Sequence, residues 1–482
     1  MSGALWTAND IAAVTGGEII GGDAWEVFGI SIDSRSLEAG ELFVALQGTQ
    51  ADGHEFIPAA FAKDAAGALV SRVVGDAKGP LILVNDTREA LTRLARAARS
   101  RTAAKIVAVT GSVGKTSTKE ALRLALGRAQ TTHASAASFN NDIGVPLSLA
   151  RMPASSEFGV FELGMNHAGE LTPLSRLVRP HVALITGVEQ AHSAFFPSLE
   201  AIADAKAEIF AGLEPGGVAI LNRDNRFFDH LAAIARAAGV ARIISYGFAE
   251  DADVRVMKHA LLEDVSCITA WVLDETVIYK VGAPGRHWVQ NSLAVLATVK
   301  AFDADLGLAA LALADMMPVK GRGQRHKVRV DGRFSILVVD ESYNANPASM
   351  RAALDTLGNI TVAAPGSAKS SRGRRIAVLG DMKELGEAGP RLHAGLAAAI
   401  VEADVDQVIT VGELMSHLAK ALPANQLLAQ VATADEAART LIANLMPNDV
   451  VMVKGSLSMA MVKVVNALLA LDRGERRLAA NG

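Results

Sequence analysis

The chain has 482 residues, 50% of them hydrophobic, with 47 basic and 51 acidic side chains and a formal net charge of −4. That balance fits neither a nucleic-acid-binding surface nor a disordered acidic tail, and points to small or anionic ligands. At about 150 residues per domain the length suggests about three domains, each able to bury its own core.

The longest apolar runs, such as LGLAALALA before Asp315, fall far short of the roughly 20 residues a membrane span requires, so no span is expected. The first basic residue is Arg35, and Asp10 interrupts the only early apolar stretch, so the amino terminus does not read as a signal peptide. The single cysteine, Cys267, excludes an internal disulfide and a cysteine-based metal cluster, and is expected in a core. A cytoplasmic, monomeric chain is the expectation.

In chain order, TANDIAAVTGG reads as a short helix from a Thr7 cap to Gly16, followed by mixed short strands. The stretch REALTRLARAARSRTAAK (88–105) reads as a helix bridging into a second unit, with a boundary near residue 100. From Lys105 the apolar segments KIVAVTG, FGVFELG, HVALITG and GGVAILN each end in a glycine or polar turn. This is the pattern of a parallel sheet wrapped by helices, whose ligands bind at the carboxyl ends of the strands. After MMPVKGRGQR (316–325) the rhythm restarts with FSILVVDESYNANP, RIAVLGDMKELG, DQVITVGEL and DVVMVKGSLS, a third α/β unit. The basic, aperiodic stretch 361–375 reads as a solvated loop, with contact to a phosphate as the less favoured alternative.

The stretch VAVTGSVGKTSTKEAL (107–122) carries the clearest chemistry. A strand, a glycine turn and a helix opening on Lys-Thr make a phosphate cradle, because amides at a helix start point at an anion and glycine permits close approach. The cradle is Gly111, Ser112, Val113, Gly114, Lys115, Thr116 and Ser117, with Lys115 a point charge for terminal phosphates and the Thr116 hydroxyl a ligand for Mg²⁺. The spacing is shorter than G-x-x-x-x-G-K-[ST], since Val109 stands five places before Gly114. Glu162 falls at a strand end. If SLEAIADAKAEIFAGL (198–213) is helical, Leu199, Ile202, Lys206, Ile209 and Leu213 share one face, placing a lysine in an apolar stripe. Such a lysine either snorkels to water or is held neutral, in which form it reacts with CO₂ to give a carbamate.

The loop VTGSVGKTSTKE resembles that of the Mur ligase family, which also includes folylpolyglutamate synthase. Further matching stretches are SIDSRSLEAGELFVALQGTQADGHEFI (31–57), SFNNDIGVPLSL (138–149), FELGMNHAGEL (161–171), VVDESYNANPASM (338–350), VLGDMKELG (378–386) and VKGSLS (453–458). The resemblance implies three α/β domains: an amino-terminal UDP-sugar substrate domain (1–100), a central P-loop parallel-sheet ATPase domain (101–320) and a carboxy-terminal Rossmann-like domain for a dipeptide and part of ATP (321–482). It implies ATP- and Mg²⁺-dependent amide synthesis. The SYNANP and GDMKELG stretches point to the branch joining D-alanyl-D-alanine to UDP-N-acetylmuramoyl-tripeptide, rather than to sister ligases or folylpolyglutamate synthase, which add one amino acid. A P-loop nucleotide switch is the rival of another class, but would not need a lysine in an apolar stripe or two flanking ligand-binding units.

By the same resemblance Glu162, His192 and a carbamylated Lys206 bind Mg²⁺ beside Thr116. Asn291 in GRHWVQNSLA matches an adenine-contacting asparagine, while Trp288 replaces another and offers an indole for stacking. Arg322 matches an arginine near the second hinge, and Glu341 stands where an aspartate usually touches ribose. Ser34, Arg35, Asp52, Gly53 and His54 match positions at the UDP-sugar end, and Asn140 and Asn141 match residues facing the tripeptide. Asn344 and Asn346 are candidates to face the nucleotide, the latter also reading as a helix cap before Pro347, and Lys454 is a candidate for the dipeptide carboxylate.

Overall fold

The structure is a computed structural model and describes residues 3–48, 51–75, 78–136, 138–190, 193–362 and 373–472. Its three main sheets follow one another along the chain. The first has five strands, with Gly29–Ser31, Glu41–Val44, Gly67–Val70 and Leu81–Leu83 parallel and Glu18–Ile20 antiparallel at one edge. The first helix is Ala8–Thr15, capped by the Thr7 side chain and closed by Gly16 in a left-handed conformation. A longer helix, Thr87–Ser100, leads into the central sheet.

The central sheet has nine strands. The strand Lys105–Thr110 lies between Phe158–Glu162 and Val182–Ile185, all parallel. The chain passes from Phe158–Glu162 to Val182–Ile185 across Lys105–Thr110, so strand order reverses there and a crevice opens at its carboxyl end. Period-2 alternation explains the burial: Ile106 and Ala108 enter one core, Val107 and Val109 the other. The sheet is not purely parallel. The strands Val254–Leu261, Ser266–Val272 and Glu275–Val281 continue it as an antiparallel meander. Their alternation of buried and exposed residues reflects a sheet with one face in the core. Cys267 lies in this meander on the less buried side, half-buried rather than in the core.

The carboxy-terminal sheet runs in the order Gln324–Val330, Phe334–Glu341, Val450–Lys454, Arg375–Gly380, Gln407–Val411, Leu427–Val431, parallel except for its first strand. It too is packed on both faces, with Ile376 and Val378 in one core and Ala377 and Leu379 in the other. Most of the basic stretch 361–375, namely 363–372, lies outside the described residues. No helix among the described residues is long and apolar enough to cross a membrane.

Candidate active site

The carboxyl ends of the central and carboxy-terminal sheets face one cleft of about 730 Å³. On the central side the strand Lys105–Thr110 ends in the loop 111–114, and the helix Lys115–Gly127 begins directly after it. Gly111 has φ +148°, and a Cβ there would lie 1.9 Å from Thr186 Oγ1. Gly114 caps the helix at φ +83°, a conformation that side-chain-bearing residues rarely adopt. Thr186 closes the loop from the neighbouring strand by donating to the Val113 and Thr110 carbonyls. Ser112 is tied at both ends, its N–H donating to Gly187 O and its hydroxyl to Glu189 O.

Lys115 folds back over this loop, its Nζ donating to Gly111 O at 2.6 Å. Crowding by protein lowers its pKa; Glu162 opposes that shift and Arg322 adds to it, so groups from both domains act on one ammonium. Thr116 is buried, with its hydroxyl 3.4 Å from Ser138 Oγ. Glu162 is 1% exposed at its strand end; its Oε1 accepts from Asn140 Nδ2 at 2.8 Å, and its Oε2 is buried without a hydrogen-bond partner. A buried carboxylate oxygen left unpaired is costly unless a cation or donor meets it.

Lys206 is 3% exposed, and the expected stripe is only partly helical. The helix ends at Ala207 and the chain tightens into a 3₁₀ turn over Glu208–Gly212, yet Ile202 and Ile209 join the same apolar cluster, with Leu199 and Leu213 packed against it. Among the described residues no hydrogen bond or ion pair reaches the Lys206 amine. Burial first, and the Lys115 charge second, push its pKa well below the ordinary 10.5. His192 lies outside the described residues.

Across the cleft Arg322 stacks over Tyr343, 4.2 Å from the ring centroid. Lys454 is 3% exposed and already engaged, donating to Glu341 Oε2 at 2.9 Å and to Asn344 O at 3.1 Å. Asp340, beside Glu341, is buried and accepts from the Gly321 and Ser342 N–H groups and the Ser342 hydroxyl. Asn346 caps the helix Pro347–Gly358, with its Oδ1 accepting from the Ser349 N–H. Asn291 lines the cleft beside Gly114, whereas Trp288 belongs largely to the core at 3% exposure, so little of its indole is free to stack.

Several residues expected at a ligand serve the scaffold instead. Asn141 turns its Oδ1 to the N–H of Gly144 at the start of the helix Gly144–Ala150 and does not line the cleft. His54 is 1% exposed; its Nδ1 lies 2.6 Å from Asp52 Oδ1, and its Nε2 accepts from the Ser71 N–H, so both ring nitrogens are used in tying the turn to the end of the strand Gly67–Val70. Gly53 packs against Leu46, where a Cβ would lie 2.7 Å from backbone atoms. Arg35 is exposed and paired with Asp33. A second cavity, about 420 Å³, lies between the amino-terminal and central domains, lined by Ser31, Asp33, Ser36, Phe139 and Arg151 among others. It is thus the neighbours of Ser34 and Arg35 that face a cavity. None of Ser34, Arg35, Asp52, Gly53 and His54 lines either cavity.

The sequence reading missed Asn222, Asn225, Gln290, Lys383 and Ser456, all of which line the main cleft. Lys383 pairs with buried Asp381 at 2.9 Å, and its N–H donates to Ser456 Oγ. Among the described residues no group of three or more His, Cys, Asp or Glu is placed to hold a metal.

A glycine-cradled lysine and threonine, a strand-end carboxylate with one unpaired oxygen and a second α/β domain across the cleft define a nucleotide-phosphate-binding α/β protein with its site between domains. Comparison with known families places it further. The Mur ligase middle domain matches residues 109–299, the Mur ligase glutamate ligase domain residues 321–457, and the Mur ligase family catalytic domain residues 26–99. The chain is 34% identical to UDP-N-acetylmuramoyl-tripeptide--D-alanyl-D-alanine ligase of Escherichia coli over 96% of this chain and 98% of that one. It is 32% identical to the Rickettsia prowazekii protein of the same name, over 96% and 99%. A crystal structure of MurF from Acinetobacter baumannii superposes with a TM-score of 0.80 at 31% identity, covering 96% and 98%. The chain belongs to the Mur ligase family.

Proposed function

We propose that the chain is an ATP-dependent, ADP-forming ligase that joins D-alanyl-D-alanine to UDP-N-acetylmuramoyl-tripeptide, a step of peptidoglycan precursor synthesis. The observation that carries the reading is the meeting, in one cleft, of the loop and helix start 112–117 and the cations Arg322, Lys383 and Lys454 of the other domain, in a chain 32–34% identical to ligases of that name along nearly its whole length.

A carboxylate is a poor acylating agent. The tripeptide's terminal carboxylate oxygen attacks the γ-phosphorus of ATP, ADP leaves, and the resulting acyl phosphate carries a good leaving group. The dipeptide amine then attacks the carbonyl carbon, the C–O bond to phosphate breaks, and phosphate and a proton are released. The loop amides and Lys115 offset the charge that gathers when two anions meet. Arg322, facing Lys115 across the cleft, does the same from the second domain.

The buried, unpaired Glu162 Oε2 and the Thr116 hydroxyl are hard oxygen donors and fit Mg²⁺, with a carbamylated Lys206 and His192 as the further ligands in this reading. Bound there, Mg²⁺ supplies charge neutralisation at the phosphates. Asn140 orients Glu162. In this reading Asn291 meets the base, Glu341 the ribose, Asn344 and Lys454 the dipeptide side, and the cavity beside Asp33 and Arg151 takes the sugar nucleotide. The test is phosphate release from ATP. It should require the nucleotide tripeptide and D-alanyl-D-alanine together, and hydrolysis independent of both would favour a nucleotide switch.

A further inference from the structure

Gln290 lies on the helix Arg286–Ala301 and lines the cleft one residue before Asn291. Its Nε2 donates to Asp224 Oδ2 at 2.9 Å and to Asn222 Oδ1 at 3.1 Å. Asp224 is itself fixed, accepting from the Phe248 and Ala249 N–H groups. Asn222 donates its own amide to Thr186 O, directly behind the phosphate loop. Asp224 Oδ2 already accepts from the Phe248 N–H, and the end of Gln290 that faces this acceptor is the NH₂. Both amide hydrogens are thereby used. Oε1 carries no hydrogen bond among the described residues, leaving one oriented acceptor on this wall of the cleft.

Strand order spaces the groups along the cleft. Glu162 ends the strand on one side of the phosphate loop, while Asn222 ends the strand two places away on the other. Two strand spacings are about 10 Å, the reach of a ribose and base from the phosphates. In the ATP-ligase reading the terminal phosphate would lie towards the Glu162 side, with its unpaired carboxylate oxygen, and the base would then extend towards Asn222 and Gln290.

Resting on the ATP-ligase reading above, we propose that Gln290 is the residue that selects adenine, its Oε1 accepting from the exocyclic N6 amino group. Hypoxanthine and guanine present an O6 acceptor at that place, and two acceptors facing each other leave both unpaired. The carboxylate of Asp224 acts one step back, as the group that keeps the amide from flipping.

Two measurements test this on the full-length chain, with the tripeptide nucleotide and D-alanyl-D-alanine held saturating. The first compares ATP with purine-riboside triphosphate, which lacks the N6 amino group, and with inosine triphosphate, in the unaltered protein. The expected kcat/KM is about tenfold lower for the purine analogue and lower still for the inosine nucleotide. The second repeats the series with Gln290→Met, which keeps the side-chain length but not the acceptor, and the ATP-to-inosine ratio should shrink about tenfold. Equal use of ATP and the purine analogue by the unaltered protein overturns the proposal even if the variant does not fold, as does an unchanged ratio in a folded variant. Absence of ligation with every nucleotide would instead overturn the ligase reading.

Discussion

The Asn140 side-chain amide donates to Glu162 Oε1 at 2.8 Å, and the other oxygen of that carboxylate is buried and unpaired. One residue therefore fixes which oxygen of Glu162 remains available to a ligand. Asn140→Ala should free the carboxylate to rotate, lowering kcat about tenfold and raising the Mg²⁺ concentration for half-maximal rate. Asn140→Asp should be worse, because it sets two carboxylates against each other. A magnesium titration of both variants, with nucleotide binding followed separately by calorimetry, checks this order.

Lys115→Ala should leave the fold intact, since the ammonium is already disfavoured by its surroundings and packs on its own loop. Ligation should fall at least about a hundredfold, as expected for loss of transition-state charge stabilisation. Steady-state kinetics beside a thermal melt separates the two effects.

For Lys206 the depressed pKa fixes a sign. Unfolded, the amine titrates near its ordinary 10.5; folded, it stays neutral to far lower pH. Between those two values the unfolded chain binds more protons, so unmodified protein gains stability as pH rises through this window and loses it as pH falls. Denaturation in CO₂-free buffer should show that slope, and Lys206→Met should reduce it, leaving the contribution of the likewise depressed Lys115. In the active enzyme the neutral amine is expected as a carbamate, visible by ¹³C NMR after growth on labelled bicarbonate. Lys206→Arg should stay inactive because guanidinium forms no carbamate, whereas a short carboxylic acid in the buffer should partly restore Lys206→Ala.

Gly111→Ala should fail for steric reasons. The added Cβ would overlap Thr186 Oγ1 in a backbone conformation unfavourable to side chains. A loss of about 1–3 kcal/mol of stability is expected, together with loss of nucleotide binding. Melting and calorimetry on the same sample report both.

Much of this arrangement is legible in the sequence, for reasons particular residues make plain. Lys115, Thr116 and Glu162 are found because apolar strands announce their own ends, and ligands collect there. The same logic applied to VAILNRDN would have flagged Asn222, which ends its strand at the same edge of the sheet. Gln290 and Lys383 carry no such mark, since their partners Asp224 and Asp381 gain meaning only from the three-dimensional neighbourhood. His54 and Asn141 sit in matching motifs, but their side chains hold turns together. Motif position locates a loop without saying which of its atoms face outward. The antiparallel meander 254–281 is hard to read from sequence because strands covered on one face alternate polar and apolar residues, and lack the continuous apolar runs of the parallel strands.

The ligase account is tested most directly by mass spectrometry of both products after reaction of ATP and D-alanyl-D-alanine with UDP-N-acetylmuramoyl-tripeptide labelled with ¹⁸O in its terminal carboxylate. Carboxylate attack on the γ-phosphorus followed by amide formation predicts one dipeptide added to each nucleotide and one ¹⁸O carried into each phosphate released. Unlabelled phosphate, or a product enlarged by a single amino acid, would contradict it.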